Sequence, residues 1–319
     1  MASLIEKISN DNIIRKDILE KDYYVTLILE ELSAKQDLIK AYFKGGTALY
    51  KALRSINRFS EDIDLTVEIS DCSTPSQAKK RLVQSTKRYK SLRYKGTLQD
   101  QRYSITSIYD YDSLFIPEYN DTLQRFGNVK IEATSFTISE PVETREISPY
   151  LYELATDEDK KILQDEFDVK TFCIKTITIQ RIFVDKIFAS EFYYKRSMFV
   201  DMAKHLYDIT ILMQLPIVIS LLDNKNKMTK LVAMKRAEEE RRAGGIDKGL
   251  KIKDFSIFDD LLKDSKMRDE FYSMQSIYVF SDKAFISCEE VTKALCILHE
   301  YVTKMGFWYI KLVNIMIKY

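Results

Sequence analysis

The sequence predicts an α/β protein of the α+β kind, with a small mixed sheet domain followed by a mainly helical domain. Three observations predict it. Residues Asp62 to Ile69 alternate without a break, Asp62, Asp64, Thr66 and Glu68 facing one way and Ile63, Leu65, Val67 and Ile69 the other. That is the period of a half-buried strand. Beyond about residue 155 the apolar spacing turns helical. Glycine and proline are scarce, 8 and 5 in 319 residues. Average chains carry about 7% and 5%, and a sandwich of many short strands needs more turn residues.

The elements follow in order. Ile14, Ile18, Leu19, Val25, Leu29 and Leu32 predict a helix over 11–34. Ala41-Tyr42-Phe43 is a short strand that ends on Lys44-Gly45-Gly46, a tight turn, and Thr47 to Arg54 reads as a short helix. Ser73-Thr74-Pro75 opens a long basic helix, a capping residue preceding proline in the first turn. Arg102 to Tyr109 and Asn128 to Thr134 read as strands. The main later helices are Ile179 to Tyr194, Ser197 to Met213, Leu231 to Arg242 and the tail after Lys283. At about 150 residues per domain the length suggests two, placed at 1–160 and 161–319.

Charge is balanced in total, 49 Lys+Arg against 48 Asp+Glu, but segregated along the chain. Lys79 to Arg102 holds nine bases and one acid, Lys225 to Lys253 ten bases and four acids, and Glu118 to Asp168 five bases and 13 acids. Such stretches are either solvated helix faces or a surface for a polyanion. Cys72, Cys173, Cys288 and Cys296 form no CxxC pair and there are only two histidines, which argues against structural zinc. Scattered cysteines fit a reducing cytosol. The N-terminus shows no signal pattern, and the apolar run Phe307 to Ile317 is too short for a bilayer. The expectation is a cytoplasmic protein with no membrane partner.

Chemistry concentrates in two places. Asp62 and Asp64, at i and i+2 on a strand, place two carboxylates on one face, about 6.5–7 Å apart along the backbone. They repel unless a cation intervenes. A divalent ion, Mg²⁺ with Mn²⁺ as the alternative, is the natural one. The plain alternative is an exposed strand face. Gly45-Gly46-Thr47 lies at a strand-to-helix junction, where backbone N–H groups approach an anion and a hydroxyl stands ready. Its plain alternative is a glycine turn with a threonine cap. A phosphate cradle 14 residues from a metal-binding strand reads as nucleoside triphosphate chemistry.

Phe43-Lys44-Gly45-Gly46-Thr47-Ala48-Leu49 followed by Arg58-Phe59-Ser60-Glu61-Asp62-Ile63-Asp64-Leu65 closely resembles the AbiEii/AbiGii toxin family of nucleotidyltransferases. That family belongs to the DNA polymerase β superfamily and is related to MenT-type toxins. Glu20 to Thr26 resembles its opening helix, Gln180 to Ala189 its third motif and Lys204 to Ile209 its fourth. Thr47 departs from the wider superfamily, which usually has serine there, and the gap to Asp62 is long for it.

The resemblance implies a polymerase β-like nucleotidyltransferase domain and a set of roles. Asp62, Asp64 and Glu132 would hold metal, Glu132 lying on a strand backed by Val129, Ile131 and Ala133. Lys44, Gly45, Gly46 and Thr47 would bind the NTP. Lys186 sits on the apolar stripe of its helix, where a lysine needs an anion. A triphosphate or an acid meets that need, and a lysine snorkelling to the surface escapes it. Asp208 matches the fourth-motif acid and is expected near Lys186. For Arg58 two roles stay open, ordering the turn and contacting phosphate. His205 reads as structural.

Further implications are NTP and Mg²⁺ dependence, an RNA acceptor at a tRNA 3′ end, and a cognate antitoxin. A small-molecule or protein hydroxyl as acceptor, and a non-catalytic binding module, are the alternatives. Tyr89, Tyr94 and Tyr103 among the bases suit phosphate contact and stacking. Gly244-Gly245, after Arg241-Arg242-Ala243, reads as a helix end or a basic backbone nest.

Overall fold

The structure is a computed structural model describing residues 1–115, 126–242, 244–259, 261–280 and 282–316, without the side chains of 282 and 305–316. The acids Glu118 and Asp121, together with Ala243 and Ile317, therefore lie outside the described residues. The chain divides into two compact units, Met1–Arg54 with Phe59–Thr178, and Ser55–Arg58 with Ile179–Tyr319.

The first unit opens with helices α1 (Ala2–Asn12), α2 (Lys16–Ser33) and α3 (Gln36–Ile39). Strand β1 (Ala41–Lys44) runs straight into the helical turn α4 (Gly45–Thr47), which continues as a π-helical turn over Ala48–Ala52. Strand β2 (Ile63–Val67), helix α5 (Pro75–Thr86), strands β3 (Arg93–Asp100), β4 (Ser104–Asp110), β5 (Asn128–Thr134) and β6 (Val142–Ile147), helices α6 (Tyr150–Leu154) and α7 (Asp157–Phe167), and strand β7 (Phe172–Ile177) complete it.

The seven strands form one mixed sheet in the order β3-β4-β5-β2-β1-β7-β6. β1–β7 and β2–β5 are parallel, and the other four pairs are antiparallel. Alternation decides the faces. Phe43, Ile63, Leu65, Ile105, Tyr109, Val129, Ile131 and Ala133 have no exposed surface. Helices α2 and α5 pack on the sheet, α2 with Val25, Ile28, Leu29 and Leu32 fully buried. Tyr109 donates its hydroxyl to the Thr86 carbonyl of α5 (2.9 Å), which seats that helix on the apolar face. The opposite face stays half-exposed through Tyr42, Lys44, Asp64, Lys130, Glu132 and Thr134.

The structure departs from the sequence reading at several places, among them the helix expected over 11–34, which is two, α1 and α2, broken at Ile13, and strand β6, which that reading lacks. The basic helix stops at Thr86, with Thr74 capping Gln77 N at 3.2 Å; Lys87, Arg88 and Lys90 follow in a turn, and Arg93 and Lys95 lie on strand β3. β3 gives no periodic signal because it is the edge strand and is exposed along most of its length. Strand β7 pairs with β1 and β6, so the sheet unit runs to Thr178, past residue 160.

The second unit is helical: α8 (Ile179–Tyr194), α9 (Phe199–Leu212), α10 (Pro216–Asp223), α11 (Lys225–Arg241), α12 (Ser265–Tyr278) and α13 (Cys288–Met316), with short 3₁₀ turns between α11 and α13. α9 packs against α8, α12 and α13. Gly244, with φ of +68°, follows the end of α11, and its carbonyl accepts from Arg196. That employment suits a helix end rather than a phosphate nest. Among the described residues no single helix is long and apolar enough to cross a membrane.

Candidate active site

The sheet register assembles the first cluster. Lys44 on β1 pairs with Asp64 on β2, Asp64 with Glu132 on β5, and Glu132 with Thr106 on β4. Cross-strand partners share a face and stand about 4.8 Å apart from strand to strand. A lysine and two carboxylates therefore lie side by side on the half-exposed face. Asp62 sits one residue before β2, on the same alternation. Burial pushes Glu132 up to about 7, the charges of Asp64 and Asp62 push the same way, and Lys130 and Lys44 oppose them. The negative charge on this face outweighs the positive charge that faces it. Lys44 Nζ donates to Thr134 Oγ1 at 3.1 Å.

Gly45 is required where it stands. Its φ of +80° belongs to the left-handed region. A Cβ on it would overlap the Asp64 carboxylate and come within 2.9 Å of Asp64 Cβ. The turn backbone thus lies directly against the acidic strand. Thr47 is fully buried, and its hydroxyl donates to the Asp62 carbonyl and contacts Ser60 Oγ at 3.0 Å. The hydroxyl expected to face an anion instead ties the turn to the residue that precedes β2.

In the second unit, the Ser55–Arg58 segment brings Arg58 to α9. Its Nε and Nη2 donate to the two carboxylate oxygens of Asp208, both at 2.7 Å, and the pair is buried. Lys186 Nζ on α8 lies 2.8 Å from Asp208 Oδ2. Burial alone would raise the Asp208 carboxyl, but Arg58 and Lys186 outweigh it and hold it at about 2. This buried fork ties the 55–58 segment to α9. His205 stacks on Tyr193 at 5.2 Å between ring centroids. Burial, then the Lys186 charge, drive its pKa well down, so the ring is neutral.

Some charged residues carried no assigned role in the sequence reading. Asp22 on α2 accepts from Lys51 Nζ at 2.7 Å and from the Tyr50 hydroxyl and Tyr150 N, and Lys51 also donates to Ser148 O at 3.1 Å. Lys21 donates to the Asn128 carbonyl where β5 begins, and Glu20 accepts from Ser113 and Leu114 N. The signal was three consecutive charges, Glu20-Lys21-Asp22, inside a helix of apolar residues, all three now at most 1% exposed.

Among the described residues no three His, Cys, Asp or Glu side chains are set closely enough to form a ready-made metal cage. The donor chemistry still fits a hard divalent cation: carboxylates on adjacent strands, with Glu132 pushed toward protonation by burial and, after it, by its acidic neighbours. Asp64 and Glu132, with Asp62 beside them, are the residues that could hold it.

The sheet thus carries a glycine turn packed directly on an acidic strand. The family described as nucleotidyl transferase AbiEii toxin, type IV toxin–antitoxin system, matches residues 27–291. The chain belongs to that family. Among curated proteins none matches the chain.

Proposed function

We propose that this nucleotidyltransferase toxin uses an NTP and a divalent cation, Mg²⁺ first, to modify an RNA acceptor, a tRNA 3′ end. The observation that carries the reading is the in-register pair Asp64–Glu132 with Gly45 pressed against Asp64. Asp62, Asp64 and Glu132 would hold the cation, which when bound neutralises their charge and orients phosphate oxygens. The Gly45–Gly46 backbone and Lys44 bind the triphosphate, and Thr47 holds that turn against Asp62. Lys186 is assigned a binding role toward the triphosphate, with Asp208 orienting its ammonium and Arg58 fixing Asp208.

The acceptor hydroxyl oxygen forms a bond to the α-phosphorus. The bond to the bridging oxygen breaks, and pyrophosphate leaves with that electron pair. The hydroxyl proton passes to water or to a carboxylate. Positioning and charge neutralisation supply the rate.

The test incubates the protein with Mg²⁺, each labelled NTP and total tRNA, beside an Asp64→Ala control. Label entering RNA with the wild type, reduced at least about a hundredfold in the control, supports the reading. Labelled protein or small molecule moves the acceptor to the other class. No transfer from any NTP, with growth inhibition unchanged by Asp64→Ala, would sink the enzymatic reading.

A further inference from the structure

Of the basic stretch that the sequence assigned to a helix, Lys79, Lys80 and Arg81 lie on α5 and the rest lie on the turn after it and along the sheet edge. Lys87, Arg88 and Lys90 occupy the turn, Arg93 and Lys95 lie on β3, and Arg102 stands in the β3–β4 hairpin. Lys87, Arg88, Lys90 and Arg102, like Lys80 on α5, have no carboxylate at ion-pair distance among the described residues. Arg93 and Lys95 reach Asp112 and Asp110 only at 3.6 and 3.4 Å, with 69% and 58% of their side chains exposed. Exposed pairs of that length hold their cations weakly.

Aromatic rings are interleaved with these charges. Tyr94 and Tyr103 are 44% and 38% exposed. Lys87 lies 5.7 Å from the Tyr94 ring centre, and Arg102 lies 4.9 Å from that of Tyr103. Tyr89 is not part of the surface: it is buried and bonded to the Ser85 carbonyl at 2.7 Å. A cation stands beside an exposed ring at each end of the eight-residue strand, at Tyr94 and in the hairpin at Tyr103, an arrangement that suits a chain of phosphates and bases, which stack on aromatics without regard to sequence. The strand is about 26 Å long.

The register ties this edge to the acidic cluster. Glu132 pairs with Thr106, and Thr106 with Gln99 on β3. The edge at Gln99 therefore lies two strand spacings, about 10 Å, from Glu132, and Arg93, paired through Asp110 to Asn128, stands four residues further along the strands.

An extended acidic peptide adding a strand to the same edge is the competing occupant. The strand is built against it. Its pairing with β4 is interrupted twice, between Tyr94 and Gly96 and between Thr97 and Gln99. Irregular, lysine-bearing edges discourage strand addition.

We propose that the β3 edge, from Lys87 to Tyr103, binds single-stranded RNA and leads the acceptor end toward the carboxylates. The inference rests on the nucleotidyl-transfer reading for its direction but not for its binding test. That test measures fluorescence anisotropy of a labelled single-stranded RNA of about twelve nucleotides, a length such grooves cover, without NTP or metal. Full-length Asp64→Ala and Asp64→Ala carrying Arg88→Gln, Arg93→Gln and Lys95→Gln are compared across salt concentrations. All three side chains are at the surface, and circular dichroism checks that the fold is kept.

The expected result is at least a tenfold loss of affinity near 0.1 M salt and a salt slope shallower by about two, the change for three lost phosphate contacts on a single strand. Unchanged affinity and slope would overturn the proposal. So would equal displacement of the RNA by poly-glutamate of matched charge, since the edge would then be a site for acidic protein. Failure of NTP transfer alongside RNA binding that depends on the three residues would remove the catalytic reading and leave this surface standing.

Discussion

Gly45 shows how much one missing side chain decides. It combines a left-handed φ of +80° with contact against Asp64, and either alone would disfavour alanine. Gly45→Ala should cost about 1–3 kcal/mol and displace Asp64. Transfer should fall at least tenfold while circular dichroism stays native. A variant with wild-type transfer would show that the turn need not touch the strand.

Asp208 carries a second prediction at this scale, set by pH. Its folded pKa, about 2, is below the ordinary 3.8. Its contribution is therefore present above 3.8 and lost as pH falls through 3.8 toward 2. Asp208→Asn leaves Arg58 and Lys186 buried without their acid, a loss of about 3–5 kcal/mol at neutral pH. Thermal unfolding of both proteins should show that gap at pH 7 and its narrowing toward pH 2. A gap independent of pH would mean that the carboxylate charge is not what holds the cluster.

At the scale of the element, helix α2 does more than fill the core. One turn of it, Glu20-Lys21-Asp22, fastens the 113–114 segment, the start of β5 and the π-helical turn that continues α4. Glu132 and the glycine turn thus hang from the same helix. Removing Lys51 leaves the Asp22 carboxylate buried with hydrogen bonds but no cation. Lys51→Met should destabilise the protein by about 3–5 kcal/mol, measured by urea unfolding, with an unchanged m-value. A loss below 1 kcal/mol would show that Tyr50 and the Tyr150 amide alone satisfy Asp22.

On the scale of the whole molecule, the chain leaves the first unit at Ser55, contributes four residues to the second and returns at Phe59. Those residues are structural members of the helical unit. Arg58 forks onto Asp208 and bridges to Val279, and Asn57 accepts from Phe280 N at 3.1 Å. A fragment of residues 179–319 therefore lacks a strut, although it contains all the helices of its unit. It should show a broad, poorly cooperative thermal transition, and a synthetic 55–58 segment joined through a short linker should sharpen it. A cooperative transition in the bare fragment would show that Arg58 is dispensable to the fold.

Strict alternation made β2 and β5 legible, since a buried face needs apolar residues at every second position, and Gly45 was legible because glycine is rare here. The helices α8, α9 and α13 were legible from their period. Strand β3 was not, because an exposed edge imposes no pattern, and β7 was missed where the chain was expected to pass between domains. The acidic residues could be nominated one by one from the sequence. Only the tertiary structure decided that Asp64 and Glu132 are register partners, that the Thr47 hydroxyl turns inward, and that Arg58 belongs to Asp208. Register, inward orientation and long-range pairing depend on residues distant in the chain, so no local spacing records them.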